Sequence, residues 1–260
     1  MEEKKQHFVL VHGGGHGAWC WWKLVPLLEQ SGHRVTAVDL ASGGDTASEI
    51  SADDIETFEQ YNRPLQQLFK TLPQAEKVIL VGHSMGGINV SYMTENYSNQ
   101  IAVSVYIAAF MLPSDMCTLE AGIKNNRQDK HLGIILHSKK GTDHPPTSYS
   151  FTRQALQERL YSLCSPEDLE VAAEKVRPGP MSYQVVSGRL HHSADRYGTV
   201  PRVFIMCEKD LVIRLASAER MVKLNPPKEV IRLPHADHMP FVSVTKDLHY
   251  HLADIAQRYG

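Results

Sequence analysis

The chain has 260 residues, 42% of them hydrophobic and 22% charged, and 27 Lys+Arg against 29 Asp+Glu leave a formal net charge of −2. That length suits one large α/β domain with a sizeable core, and the near-neutral balance offers no basic field for a nucleic-acid backbone. The longest nearly apolar run, Ala102 to Leu112, falls well short of the roughly 20 residues a membrane-spanning helix needs, so no membrane partner is expected.

Phe8 to Val11 is a short apolar run ending at His12 and three glycines, which predicts a buried strand entering a tight loop. Apolar residues at helical spacing predict a helix over Ala18 to Gln30, closed by Gly32. Val35 to Val38 is the next strand, with Asp39 at its end. A helical pattern from Ser51 to Leu72 has Ser51 as its cap with Asp54 three residues on. Lys77 to Val81 is a third strand, followed by Gly82-His83-Ser84-Met85-Gly86-Gly87 and a helix to about Tyr97. A fourth strand covers Ala102 to Ala109. After a break, Arg202 to Cys207 (strand), Leu215 to Leu224 (helix), Glu229 to Leu233 (strand) and Thr245 to Tyr259 (helix) resume the alternation. The class is therefore α/β, with a mostly parallel central sheet and helices on both faces. The stretch 112–197 breaks the rhythm with Pro, Gly and His clusters, weak helical patterns and no clear buried strand. It reads as a cap inserted into a single domain spanning 1–260, lying over the carboxyl ends of the strands where ligands bind. The N-terminal Met-Glu-Glu-Lys-Lys-Gln has no apolar h-region, and Cys20, Cys117, Cys164 and Cys207 lie far apart. Both features fit a cytoplasmic protein with reduced thiols.

Gly82-His83-Ser84-Met85-Gly86 matches G-x-S-x-G between a strand and a helix. The serine of such an elbow sits on a strained turn, so the residues two away on either side must be small. The next N–H, that of Met85, and the positive end of the following helix face the same space and can hold an oxyanion. A serine needs a base held by an acid, and in this arrangement both follow in order at later strand ends. Asp210 and His238 stand there, with Asp237 and His235 as rivals. Asp237 adjoins His238 and so is poorly placed to orient it, and His235 comes too soon after Pro234 to reach across the sheet.

His12-Gly13-Gly14-Gly15 is similar to the glycine loop that supplies a second oxyanion donor. The same loop, with Ala18 and Asp39, also imitates a dinucleotide fingerprint. His12 has no part in that fingerprint, and the bulky Trp19-Cys20-Trp21-Trp22 follows too closely. His191-His192, His235 with His238, and His249 with His251 lack the spacing of a metal site, so no metal is expected. Met111, Met116, Tyr149, Phe151, Tyr161, Met181 and Tyr183 are candidates for an apolar pocket or for ordinary core.

Phe8-Val-Leu-Val-His-Gly-Gly-Gly-His-Gly-Ala-Trp, Val35-Thr-Ala-Val-Asp-Leu, Gly82-His-Ser-Met-Gly-Gly, Leu163-Cys-Ser-Pro-Glu-Asp-Leu and Ala236-Asp-His-Met resemble the plant methylesterase and hydroxynitrile lyase branch of the α/β-hydrolases. The resemblance runs from about His7 to the C-terminus and is weakest between Leu112 and Tyr161. It implies an α/β-hydrolase fold with a small helical cap, an ester substrate, no cofactor and often a homodimer. Carried over, the triad falls on Ser84, Asp210 and His238, and the oxyanion donors on the N–H groups of Gly14 and Met85. Gly13, His16, His131 and Met239 are expected at the substrate pocket, His131 where relatives place a lid tryptophan. Cyanohydrin-cleaving members have threonine, lysine and an acid where this chain has Gly13, Met239 and His83. The expected activity is thus hydrolysis of the methyl ester of a small plant metabolite, a hormone or alkaloid ester, with decarboxylation of the released acid as a sequel. The alternatives are a hydroxynitrile lyase and a small-molecule receptor with an idle triad.

Overall fold

The computed structural model describes residues 5–116, 133–181 and 190–260. These residues form the strands β1 (His7–Val11), β2 (Arg34–Val38), β3 (Val78–His83), β4 (Ile101–Ile107), β5 (Ile134–His137), β6 (Ser148–Phe151), β7 (Gly179–Pro180), β8 (Arg202–Cys207) and β9 (Glu229–Leu233). Six of them make one parallel sheet in the order β2-β1-β3-β4-β8-β9. Every residue of β1 and β3 is buried, as strands covered on both faces must be. Phe8, Leu10, Ile79 and Val81 pack on one side with Trp21, Leu24, Leu28 and Leu252. Val9, Val11 and Leu80 pack on the other with Leu65, Phe69, Val90 and Met221. The chain leaves β1 for β2 on one flank and returns to β3 on the other. That reversal opens a crevice at the carboxyl ends of β1 and β3, where Val11 lies opposite Gly82.

All six expected sheet strands are present, within a residue or two at their ends, and the helices Leu215–Leu224 and Thr245–Tyr259 have the expected bounds. Two helices differ. The run from Ala18 divides into a 3-10 turn, Ala18–Trp21, and helix α1 (Leu24–Gln30). Pro26 lacks an N–H and its ring crowds the carbonyl four residues back, which makes a helix interior costly for it, and the new helix begins with Pro26 in its first turn. Gly32, at φ +83°, closes α1 as expected, with His33 N–H bonded to the Leu28 carbonyl. Helix α2 runs over Phe58–Thr71, not from Ser51. Ser51 caps only a single 3-10 turn, Ala52–Asp54. The helix proper is started by Thr57, whose hydroxyl accepts from Gln60 N–H while the Gln60 side chain accepts from Thr57 N–H. That reciprocal box outcompetes the earlier one. Helix α3 (Gly86–Asn96) follows β3.

The stretch expected to lack strands carries β5, β6 and β7 as an antiparallel sheet, joined by a helix over Pro166–Lys175 that Ser165 caps. Thr147 and Lys139 tie this sheet to Asp53 and Asp54, and Arg177 N–H bonds the Gly15 carbonyl at 2.9 Å. The cap thus rests directly on the glycine loop. Among the described residues no helix is long and apolar enough to cross a membrane.

Candidate active site

Ser84 sits between β3 and α3 with φ +52°, a conformation that costs a non-glycine residue about 1–3 kcal/mol and is kept only where surroundings enforce it. Here they do. Ser84 N–H bonds the Ile107 carbonyl at 3.3 Å, and its own carbonyl accepts from Phe110 N–H at 3.0 Å and Gly87 N–H at 3.1 Å. The flanking glycines are sterically required. A Cβ on Gly82 would lie 2.5 Å from Val90, and one on Gly86 2.5 Å from the His12 carbonyl oxygen.

The loop after β9 delivers His238, whose Nε2 lies 3.1 Å from Ser84 Oγ and whose Nδ1 lies 2.8 Å from Asp210 Oδ2. A carboxylate only accepts, so Nδ1 carries the proton and the Nε2 lone pair faces the serine. Asp210 is itself fixed, because its other oxygen accepts from Val212 and Ile213 N–H at 2.7 and 2.9 Å. All three side chains are buried, Ser84 at 8% exposure being the most open. The rivals separate cleanly. His235 is exposed, and Asp237 faces away from the imidazole.

Asp237 nevertheless matters. It is fully buried and accepts from Met239 N–H (3.0 Å) and Ser243 Oγ (2.7 Å) on one oxygen, and from Leu163 N–H (2.9 Å) and Cys164 Sγ (3.6 Å) on the other. It fixes the histidine loop and staples it to the cap. The proximity to Asp237 and burial also push the Cys164 thiol up, burial being the larger cause.

Two histidines that look incidental in sequence shape the glycine loop. Leu40 N–H donates to His12 Nε2 at 3.0 Å, so His12 Nδ1–H donates to the Gly13 carbonyl at 2.7 Å. In a trans peptide the carbonyl and the next N–H point in opposite directions, so the grip on Gly13 aims the Gly14 N–H the other way. His16 Nδ1–H donates to the Gly14 carbonyl at 2.9 Å, and its Nε2 accepts from Tyr161 Oη at 2.8 Å. Both His16 nitrogens are therefore spent inside the wall. Burial lowers His16 to about 4, lowers His12, and puts His83 well below the ordinary range with help from His238 and His16. His83 Nε2–H donates to the His238 carbonyl at 2.8 Å.

Neither Gly14 N–H nor Met85 N–H has an acceptor among the described residues, and Met85 stands at the N-cap of α3, where a backbone donor has no intrahelical acceptor. Gly13 abuts the serine, since a Cβ there would lie 2.9 Å from Ser84 Cβ. Met239, next to His238, is fully buried. His131, like Cys117 and Tyr183, lies outside the described residues. The dinucleotide alternative fails at Asp39, whose carboxylate is consumed by Ala18 N–H at 2.6 Å and Asp45 N–H at 3.2 Å. Among the described residues no three His, Cys, Asp or Glu side chains are gathered to hold a metal.

A serine, imidazole and carboxylate in line, beside two unpaired N–H groups, define a hydrolase-type site on a parallel α/β scaffold. Residues 8–248 match the Alpha/beta hydrolase family. Methylesterase 3 of Arabidopsis thaliana is 42% identical over 262 residues, covering 100% of this chain and 99% of its own. Salicylic acid-binding protein 2 of Nicotiana tabacum is 38% identical, covering 100% of both chains. The crystal structure of polyneuridine aldehyde esterase superposes with a TM-score of 0.89 at 34% identity, covering 97% of this chain and 100% of its own. This chain belongs to the α/β-hydrolase family, in its plant methylesterase branch.

Proposed function

We propose that this protein is a serine carboxylesterase that hydrolyses the methyl ester of a small organic acid. The observation that carries the proposal is His238 bridging Ser84 and Asp210 in the correct tautomer, beside the free N–H groups of Gly14 and Met85. Ser84 Oγ attacks the ester carbonyl as His238 Nε2 takes its proton, and Asp210 holds the imidazolium that forms. The carbonyl oxygen, now anionic, is met by the two N–H groups, where one donor is worth about 3 kcal/mol of barrier. His238 returns its proton to the departing methoxide and methanol leaves. Water, deprotonated by the same imidazole, then releases the acid and restores Ser84. Gly13, backed by Ser84 and His83, and Met239 wall the site beside the reacting atoms.

The substrate class is a plant metabolite ester of the hormone or alkaloid kind, in keeping with relatives named for methyl jasmonate and polyneuridine aldehyde. An acid released with a β-carbonyl loses carbon dioxide afterwards without further help from the protein. Cyanohydrin cleavage is disfavoured because buried, apolar Met239 puts no cation beside His238 to receive cyanide.

The test is mass spectrometry of a panel of methyl esters incubated with the protein and with Ser84→Ala. Conversion of one ester to its acid, absent in the variant, supports the proposal, and additional loss of carbon dioxide supports the sequel. Equal conversion by both proteins, or cyanide release from a cyanohydrin, would contradict it.

A further inference from the structure

In β6, side chains alternate, so Tyr149 and Phe151 share a face, and their rings meet edge to face at 5.5 Å. That face lies on the glycine loop. A Cβ on Gly15 would come 3.0 Å from the Phe151 ring, and one on Gly14 only 1.9 Å from the Tyr149 hydroxyl oxygen. The Tyr149 oxygen therefore rests against Gly14 Cα. From the same point the Met85 side chain is 3.4 Å away, so the phenol tip touches the glycine loop on the side that Met85 also approaches. Its ring also packs closely against β7. Tyr149 pairs across the sheet with Gly179, and a Cβ there would lie 2.7 Å from Tyr149 Cζ. The hydroxyl nonetheless has no hydrogen-bond partner among the described residues.

Tyr149 is half-buried, and a hydroxyl without a protein partner, held at the mouth of a reaction site, is placed to meet a ligand. We infer that the Tyr149 hydroxyl is a substrate-binding donor that selects methyl esters whose acid part carries an oxygen acceptor, such as a β-carbonyl, within reach of the ester carbon. This rests on the esterase reading above. Burial pushes the Tyr149 phenol up to about 12. The Tyr61 phenol, near enough for the two to repel if ionised, is pushed up as well. Both stay O–H donors at neutral pH. A purely hydrocarbon acyl group would displace water from the Tyr149 hydroxyl and give nothing back, which is how a polar group in a site rejects an analogue lacking its partner.

The test uses a methyl β-keto ester and the methyl ester of the alkanoic acid of the same length. Their binding to Ser84→Ala and to Ser84→Ala/Tyr149→Phe is measured by calorimetry, and their turnover by the wild-type protein in parallel. Tyr149→Phe keeps the ring contacts with Gly179 and Phe151. The expected result is tighter binding of the keto ester by about tenfold or more, lost with the hydroxyl, while the alkanoate binds both proteins alike. Equal loss for both esters would make Tyr149 merely structural, and unchanged preference, or binding of neither ester, would also overturn the inference. Intact preference without wild-type turnover of either ester would instead overturn the esterase reading alone.

Discussion

Gly14→Ala is the sharpest steric probe of how the cap meets the glycine loop. The added methyl would sit 1.9 Å from the Tyr149 hydroxyl oxygen, against an ordinary contact of about 3.5 Å, so the phenol must retreat by over an ångström. Gly179 packs closely against the same ring, which limits its room to move. Overpacking of this kind costs about 1–3 kcal/mol, and here it is set by one atom. With the oxygen removed, the next atom met is Cζ at 3.3 Å, which needs a shift of only a few tenths of an ångström. Gly14→Ala should therefore cost about 2 kcal/mol alone and well under 1 kcal/mol in the Tyr149→Phe background, a coupling of roughly 1–2 kcal/mol. Urea denaturation of the four proteins of this double-mutant cycle reads it directly. An equal cost for Gly14→Ala in both backgrounds would refute the placement of Tyr149 on the loop.

Asp210→Asn should lower kcat by about 10³- to 10⁴-fold with little change in KM, because an amide can hold the imidazole in the wrong tautomer; steady-state kinetics on any accepted methyl ester checks this. Asp237→Ala removes the acceptor of Met239 and Leu163 N–H, at about 1–3 kcal/mol for each orphaned donor, and should lower the thermal midpoint along with kcat. The buried histidines predict acid sensitivity. His16 binds its proton at about 4 when folded, against 6.5 for the free side chain. Between those values the unfolded chain holds the extra proton, so stability falls as pH drops from about 6.5 towards about 4, by about 3 kcal/mol for this ring alone. Urea midpoints that stay level across that range would contradict the neutral, buried His16.

The six strands of the main sheet were legible because each is a short apolar run closed by a polar or glycine signal, and Ser84, Asp210 and His238 were legible because they stand at strand ends. The cap sheet was not. In β5, Ile135 and Leu136 are about half exposed, at 49% and 56%, and β7 has two residues, so no buried alternation marks either strand. The overextended α2 came from two competing caps, Ser51 and Thr57, of which Thr57 alone forms the reciprocal box with the residue three positions on. Asp237 was readable as an acid but not as a staple, because its partners at Leu163 and Cys164 come from the distant cap. The same holds for His12 and Tyr149, whose work depends on backbone atoms that composition and spacing do not place.

The central claim is that Ser84 is the nucleophile of a working triad. Peptide-mapped mass spectrometry after brief exposure to a serine-reactive phosphonate tests it most directly. The account predicts a single adduct on Ser84, absent in Ser84→Ala and formed far more slowly in His238→Ala. An adduct on another residue, or labelling indifferent to His238, would contradict it.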